Sequence, residues 1–395
     1  MTAPAVHARP GTPADAISGV VPREVVRPGT VGEAADLLKA AAADGLTVVP
    51  VGGRTKLGWA APPQSCDLLI DLGGLDRVVE HSAGDLTVVA QAGVRLADLR
   101  SQVGESRQML ALDPPEEGAT LGGIVSANAS GPRRLRYGTG RDLLIGISVI
   151  LADGTLAHAG GKVVKNVAGY DLGKLYTGAH GTLGLVVSTT WRLHPVPPAR
   201  RVVTLDLDDA AAAGPPALAL SRSALTPTAV ELIGTADGAA RLVVVFESIA
   251  ESVAAQARAA RALLGGGRES DEVPDDFGRR PGGAGDVLLR MAFVPAALPA
   301  VLALLPSGTR VAAHACSGVT YAALPAAGAA DALPSLRAAI APYDGTAVLL
   351  HAPAGVQPGL DHWGPVGDSF ALMRRVKERF DPERRLSRGR FTGGL

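Results

Sequence analysis

Three glycine-rich stretches constrain this 395-residue chain more than any other feature. The first, VGGRTKLG at 51–58, follows the apolar run LTVVP; the others are DPPEEGATLGGIVSANASGPRRLRYG at 113–138 and GYDLGKLYTGAHGTLGLVVSTTWRLHP at 169–195. Glycine inside a helix or strand costs roughly 0.5–1 kcal/mol relative to alanine, so such a concentration needs a reason. The simplest reason is that the backbone approaches a ligand closely.

The first stretch is a loop that directly follows a predicted strand, a position where backbone amides often hold a phosphate. Its spacing is neither the G-x-x-x-x-G-K-[ST] of nucleoside-triphosphate loops nor the G-x-G-x-x-G of doubly wound dinucleotide folds. Taken alone, the loop leaves two interpretations open: a plain turn or an anion-binding nest of amides.

Composition excludes several classes of protein. Lys plus Arg and Asp plus Glu are equal at 38 each, which gives no electrostatic signature for nucleic acid or an anionic membrane. The two cysteines, Cys66 and Cys316, form no C-x-x-C motif, so neither an iron–sulfur cluster nor a structural zinc is expected, and a reducing compartment is favoured. Without a targeting segment or a long apolar run, the chain is expected to be cytoplasmic, with any membrane association made through a partner.

The hydrophobic pattern predicts two α+β domains. Thr30 caps a predicted helix that ends near Gly45, strands follow at 46–51 and 67–72, and 77–80 pairs with 86–91. A helix is predicted at 96–103 and a strand at 109–112. Beyond PVPP at 195–198, strands alternate with alanine-rich helices, which predicts an antiparallel sheet with helices on one face. The predicted boundaries are an extension at 1–23, domains at 24–198 and 199–365, and a returning segment at 366–395.

The three stretches in this order, with the closing LMRRVKERFDPERRLSRGRF at 372–391, resemble the FAD-linked oxidases of the vanillyl-alcohol oxidase type, whose FAD-binding domain is called PCMH-type. Within that superfamily the chain is most similar to the small FAD-binding subunit of bacterial glycolate oxidase. The resemblance covers 24–198 and 366–391. It implies a PCMH-type domain of two small sheets with flanking helices, followed by an antiparallel α+β cap domain.

The resemblance also implies which residues hold the cofactor. The first loop would wrap the pyrophosphate, the second stretch would run past the flavin, and the third would meet the adenine end. The implied FAD-binding residues are Val51, Gly52, Gly53, Arg54, Thr55, Lys56, Leu57, Gly58, Asp113, Pro114, Gly118, Ala119, Thr120, Gly122, Gly123, Ala127, Asn128, Gly131, Tyr137, Gly181, Thr182, Gly184 and Val186. Because the first loop contains no histidine, the FAD is expected to be non-covalent.

The catalytic residues are less clearly marked. His362 in DHWG is either a catalytic base or a surface or pocket histidine. Arg390 in SRGRF either neutralises reduced flavin or a substrate carboxylate, or is a solvated arginine of the tail. His314 in HACSGVTY lacks the second histidine of a metal pair, which favours a core or pocket-lining role over a metal ligand. No metal site is therefore predicted.

The resemblance implies FAD-dependent oxidation of glycolate or a related 2-hydroxy acid. The chain would act as a subunit of a complex with a larger FAD-containing catalytic subunit and an iron–sulfur subunit that receives the electrons. Two alternatives stay open: a non-catalytic FAD-carrying electron-transfer subunit, and a self-sufficient FAD oxidase acting on another alcohol.

Overall fold

The structure, a computed structural model, describes residues 8–162, 171–357 and 360–395. The strands of its first part are β1 (Arg9–Pro10), β2 (Glu24–Val26), β3 (Val48–Val51), β4 (Leu68–Asp71), β5 (Val78–Ser82), β6 (Thr87–Gln91), β7 (Gln108–Met109), β8 (Leu144–Ile150), β9 (Leu156–Gly160), β10 (Leu185–Arg192) and β11 (His194–Pro195). Its helices are α1 (Val31–Ala43), α2 (Leu96–Gly104), α3 (Leu121–Ala127), α4 (Arg134–Tyr137), α5 (Gly140–Leu143) and α6 (Leu172–Tyr176).

Two sheets organise this first part. A four-stranded sheet has the order β1-β2-β4-β3, in which β2, β4 and β3 are parallel, and a five-stranded antiparallel sheet has the order β5-β6-β10-β8-β9. Helix α1 begins where the hydroxyl of Thr30 accepts a hydrogen bond from the Glu33 amide at 3.1 Å. Its buried face packs with residues of both sheets, so α1 joins them through one hydrophobic core.

The second part is one eight-stranded antiparallel sheet with helices. Its strands are β12 (Ala199–Leu207), β13 (Ala229–Thr235), β14 (Ala240–Ser248), β15 (Arg268–Ser270), β16 (Asp286–Ala292), β17 (Arg310–His314), β18 (Val319–Pro325) and β19 (Thr346–His351), in the order β15-β12-β14-β13-β17-β18-β16-β19. Its helices are α7 (Gly214–Arg222), α8 (Ala250–Leu264), α9 (Leu298–Leu302) and α10 (Ala329–Ile340). None of the helices in the described ranges is long and apolar enough to cross a bilayer.

The two faces of this sheet have different partners. Apolar side chains of α7, α8, α9 and α10 pack on one face and form the largest buried cluster. On the opposite face, Tyr321 and Leu350 pack against Trp59 and Ala129 of the first part. The opposite face is therefore the one that meets the glycine-rich stretches.

A last helix, α11 (Phe370–Phe380), returns the chain to the first part. Leu386 forms a parallel bridge with Val48, and the Ser387 amide donates to the Val48 carbonyl at 2.8 Å. This C-terminal segment, residues 381–395, thereby runs beside β3 and reaches the first glycine-rich loop.

The α+β fold class is confirmed, and two local predictions need correction. The strand predicted at 109–112 is reduced to β7, because its partner β11 contains only two residues before the Pro-rich boundary. Strand β18 was not predicted, because its first residues belong to HACSGVTY, which was interpreted as a site motif. Residues 169–170, which open the third stretch, lie outside the described residues. The domain boundaries stay our proposal, which the separation of the sheets near Pro195–Ala199 supports.

Candidate cofactor and active site

One central cavity lies where the first loop, α3, residues 180–186 and the C-terminal segment meet. It holds about 740 Å³ of space not filled by protein atoms, part of which is open to solvent. The predicted site residues that line it are Val51, Gly52, Gly53, Arg54, Thr55, Lys56, Leu57, Thr120, Gly122, Gly123, Ala127, Gly181, Gly184, Val186 and Arg390.

The glycines of the first loop let it pack against the second stretch. A Cβ atom on Gly53 would lie 2.0 Å from the carbonyl oxygen of Gly118, and one on Gly52 would lie 2.3 Å from Oγ1 of Thr120. That same Oγ1 accepts hydrogen bonds from the amides of Gly53 at 3.3 Å and Gly123 at 3.4 Å. The cavity wall therefore depends on two loops in direct backbone contact.

The charges of the first loop are largely partnered within the protein. Arg54, held in the left-handed region at φ 58°, places Nη1 3.3 Å from Asp15. Lys56 is buried with Nζ 3.4 Å from Oε2 of Glu116, and burial lowers its pKa. Arg280, from the second part of the chain, donates Nε to the other oxygen of Glu116 at 2.9 Å. One carboxylate thus joins both parts of the chain at the edge of the cavity.

Arg390 is the cation whose donors are least satisfied at this cavity. Its side chain is buried, Nη2 donates to the Leu57 carbonyl at 2.7 Å, and Nη1 has no hydrogen-bond partner among the described residues. Burial lowers the pKa of Arg390 to about 10, so it remains protonated at neutral pH. A buried guanidinium with an unused donor in a cavity wall is suited to hold an anionic or carbonyl-bearing ligand.

Sequence reasoning missed six of the residues that line the cavity. His180 has φ 51° and a pKa lowered to about 3 by burial and by the charge of Arg390, so it is neutral near pH 7. Its place in the third glycine-rich stretch was the signal that could have found it. The others are small or apolar residues whose types carry no chemical signal: Val49, Pro50, Leu72, Ala92 and Ser126.

Ten predicted site residues do not line the cavity. These are Gly58, Asp113, Pro114, Gly118, Ala119, Asn128, Gly131, Tyr137, Thr182 and His362. Two of them have structural roles: a Cβ on Gly131 would lie 2.0 Å from the Asp113 carbonyl oxygen, and Asn128 is the left-handed residue that ends α3. That Gly131 leaves room for the cofactor and that Asn128 bonds to it stay predictions.

His362, the predicted base, lies in a separate depression beside Asp361 and Trp363. Both ring nitrogens are buried and without hydrogen-bond partners in the part of the chain that the structure describes. Burial, together with the charge of Arg390, lowers the pKa of His362 to about 4. The ring of His362 does not line the central cavity, and its low pKa makes it a weak base.

These buried histidines predict acid sensitivity. Below pH 6.5 the unfolded chain takes up protons that His362 and His180 cannot accept in the fold until the pH falls toward 4 and 3, so stability is lost as pH falls. His362 alone should contribute a loss of about 2–3 kcal/mol between pH 7 and pH 4.5. Urea unfolding of His362→Leu should show a smaller loss over this interval than wild type, with exposed His158→Gln as the control. An unchanged loss in His362→Leu would contradict the assignment.

A second polar cluster lies on the sheet face that meets the first part of the chain. Glu231 and His314 occupy directly opposite positions on β13 and β17, and Tyr321 and Arg290 are opposite each other on β18 and β16. The guanidinium of Arg280 lies 3.7 Å from the centre of the Tyr321 ring. Among the described residues, no group of three or more His, Cys, Asp or Glu side chains is placed to hold a metal ion.

Comparison with known proteins agrees with this geometry. Residues 22–160 match the family model described as an FAD binding domain. The chain is 35% identical to D-2-hydroxyglutarate dehydrogenase of Xanthomonas citri pv. viticola over 187 residues, which are 47% of this chain and 40% of that protein. It is 33% identical to a mitochondrial cytochrome D-lactate dehydrogenase of Saccharomyces cerevisiae (54% of this chain, 36% of that protein) and 32% identical to glycolate oxidase subunit GlcD of Bacillus subtilis (46% and 39%).

The matches thus span well under two thirds of the length of these curated relatives. Among solved structures, p-cresol methylhydroxylase superposes with a TM-score of 0.74 at 16% identity, covering 94% of this chain and 89% of that one. Alkyldihydroxyacetonephosphate synthase gives 0.67 at 16% identity, covering 93% and 76%. Residues 22–160 thus form an FAD-binding domain, the chain has the fold of p-cresol methylhydroxylase, and FAD is its cofactor.

Proposed function

We propose that this chain binds FAD in the central cavity and oxidises the CH–OH group of a small 2-hydroxy acid. The observation that carries the proposal is the meeting of two features. A cavity walled by the predicted FAD loops and by Arg390 adjoins, through Arg280 and Glu116, a sheet face that bears further arginines. The names of the relatives, two 2-hydroxy-acid dehydrogenases and a glycolate oxidase subunit, support the same substrate class.

The residues of the cavity suit FAD. Glycines of the first loop and of α3 add no side chains to the cavity wall, Thr120 holds the two loops together, and Arg390 offers a charged donor. We assign the holding of FAD to Gly52–Leu57, Thr120–Gly123, Gly181–Val186 and Arg390. When bound, FAD supplies a two-electron acceptor for the alcohol carbon.

The substrate carboxylate would be held by arginines of the interface between the two parts of the chain. Burial lowers the pKa of Arg134, and the charge of the nearby Arg290 lowers it further. Arg280 adds a third cation, partly neutralised by Glu116. An anion bound near Arg134 and Arg290 would relieve their mutual repulsion, which favours a carboxylate over a neutral alcohol.

We further propose that the chain works as a subunit of a glycolate-oxidase-type complex, with a larger FAD-containing catalytic subunit and an iron–sulfur subunit. Only two cysteines are present in the sequence, which cannot by themselves ligate a cluster. The similarity to a protein named as a glycolate oxidase subunit supports a multi-subunit arrangement. An electron-transfer subunit without catalysis, and a self-sufficient oxidase for another alcohol, remain the competing proposals.

Arg390→Gln is expected to weaken FAD binding about 10- to 100-fold, because it removes a charge-assisted donor from the cavity wall. It also removes the hydrogen bond from Nη2 to the Leu57 carbonyl, which holds the first loop. Arg388→Gln is the matched control, since Arg388 is exposed two residues away. Titration of the apoprotein with FAD, followed by flavin fluorescence, measures both. Equal FAD affinities in Arg390→Gln and Arg388→Gln would contradict the placement of Arg390 in the FAD site.

The catalytic proposal is tested by assaying the purified, FAD-loaded chain with an artificial electron-accepting dye. Glycolate, D-lactate, D-2-hydroxyglutarate and a non-acidic alcohol of similar size serve as substrates. Turnover of one or more acids, with none of the alcohol, is expected. Turnover only of the alcohol would favour the self-sufficient oxidase. Turnover of the acids only after the copurifying chains are added back would favour the electron-transfer subunit.

A further inference from the structure

The structure contains a buried carboxylate–imidazole pair whose purpose the fold does not explain. Glu231 and His314 lie directly opposite each other on neighbouring antiparallel strands, with Oε1 2.7 Å from Nδ1. Their residues are 1% and 5% exposed. Replacing a buried ionisable pair by apolar side chains is often neutral or stabilising, so the pair is weak support for stability and a candidate for function.

The pair faces the first part of the chain, away from the helices that cover the other side of the sheet. Its neighbours on that side come from several elements: Asp113 before α3, Arg134 on α4, Arg280 before β16 and Tyr321 on β18. The Tyr321 ring centre lies 5.7 Å from that of His314. Burial and the nearby charge of Glu231 raise the pKa of Cys316, which lies in the turn after β17. The surroundings are thus those of an interface rich in charge and not of an apolar core.

One nitrogen of the imidazole is held and the other is free. When ionised, Glu231 can only accept a hydrogen bond, so a ring proton of His314 then lies on Nδ1. The remaining nitrogen, Nε2, is buried and has no hydrogen-bond partner within the described ranges. Its lone pair is therefore available to a proton donor that the protein itself does not supply.

We propose that Nε2 of His314 accepts the hydroxyl proton of the 2-hydroxy acid, and that Glu231 is the residue that positions the ring. The inference rests on the proposed function. In this step the substrate O–H bond breaks and an N–H bond forms at Nε2. The electron pair left on oxygen would form the carbonyl bond, and bound FAD would supply the acceptor for the α-hydrogen and its electron pair. The product is a 2-oxo acid, and Glu231 stabilises the imidazolium.

The same surroundings place a carboxylate-binding group beside the proton acceptor. Arg280 contacts both Glu116 at the cavity edge and the face of Tyr321, which in turn lies against His314. A small 2-hydroxy acid has its hydroxyl and carboxylate on adjacent carbons. A substrate held through its carboxylate by Arg280 or Arg290 would thus present its hydroxyl to this part of the sheet.

The variants His314→Gln and Glu231→Gln test the pair in the FAD-loaded chain. Anaerobic bleaching of the flavin by saturating acid, recorded by stopped flow from pH 5 to pH 9, is expected to slow about 10²- to 10⁴-fold in His314→Gln. Glu231→Gln should slow it less and move the acid limb of the profile to lower pH, because the protonated ring loses its carboxylate. Half-buried His351→Gln, on β19 of the same sheet, is the matched control and should behave as wild type.

The oxidised-flavin spectrum of each variant reports whether FAD and fold are retained. Should His314→Gln fail to bind FAD, the shift of the acid limb in Glu231→Gln decides the matter. A wild-type rate and profile in both variants, or an unshifted limb in Glu231→Gln, would overturn the pair's role while leaving the proposed function intact. Failure of all three acids to bleach the wild-type chain would overturn both proposals.

Discussion

Replacing Lys377 by methionine is expected to lower the free energy of unfolding by about 3–5 kcal/mol. Lys377 lies on α11 with its side chain 2% exposed, and its ammonium donates to Asp381 at 2.6 Å and to the carbonyls of Thr182 and Leu386 at 2.7 and 2.9 Å. All three donors are used, so one cation joins the last helix, the third glycine-rich stretch and the C-terminal segment. Methionine would leave the fully buried Asp381 carboxylate without its counter-charge.

Urea unfolding measures this loss, and limited proteolysis of residues 381–395 reports whether the segment detaches from β3. Lys377→Met combined with Asp381→Asn should be less destabilised than Lys377→Met alone, because the unpaired charge is removed and the asparagine oxygen still accepts from one of the Arg385 and Leu386 amides. Exposed Arg375→Met, on the same helix, is the control. A loss below about 1 kcal/mol in Lys377→Met would show that the pair is solvated and of surface-pair strength.

Gly53→Ala is expected to weaken FAD binding about 5- to 150-fold, corresponding to the 1–3 kcal/mol that overpacking typically costs. The new methyl group would lie 2.0 Å from the Gly118 carbonyl oxygen, and backbone cannot rotate out of the way as a side chain can. The first loop would have to separate from the second, which breaks the contact of the Gly53 amide with Thr120 and displaces both walls of the cavity.

FAD titration of the apoprotein measures the effect, with Gly104→Ala as the control. Gly104 lies at the end of α2, where an added Cβ meets no atom within 4 Å. Gly104→Ala should bind FAD as wild type does. Wild-type affinity in Gly53→Ala would mean that the two loops can move apart without affecting the site.

Sequence reasoning located the walls of the cavity better than it located the chemistry. The glycines of the first loop and of α3 could be identified because close backbone contact requires glycine, and the sequence shows the resulting local enrichment in glycine. What the sequence does not show is the contact partner: Gly53 and Gly131 touch protein backbone, so part of the glycine signal comes from loop-on-loop packing. Gly53 both packs on backbone and lines the cavity, whereas Gly131 packs on backbone and lies outside the cavity wall.

Residues that depend on long-range register could not be predicted. Glu231 and His314 are 83 positions apart, and only the pairing of β13 with β17 makes them opposite. Lys377 lies on the amphipathic helix α11, and its burial follows from the return of the chain to β3. In each case the residue type was visible, whereas the partner that gives it a role was set by the tertiary fold.

The central claim is that this chain holds FAD and reduces it with a 2-hydroxy acid. The most direct test is the visible absorption spectrum of the purified chain, recorded before and after anaerobic addition of glycolate, D-lactate or D-2-hydroxyglutarate. We predict an oxidised-flavin spectrum that one of these acids bleaches, with one 2-oxo acid formed per flavin. An oxidised-flavin spectrum that none of the acids changes would contradict the claim.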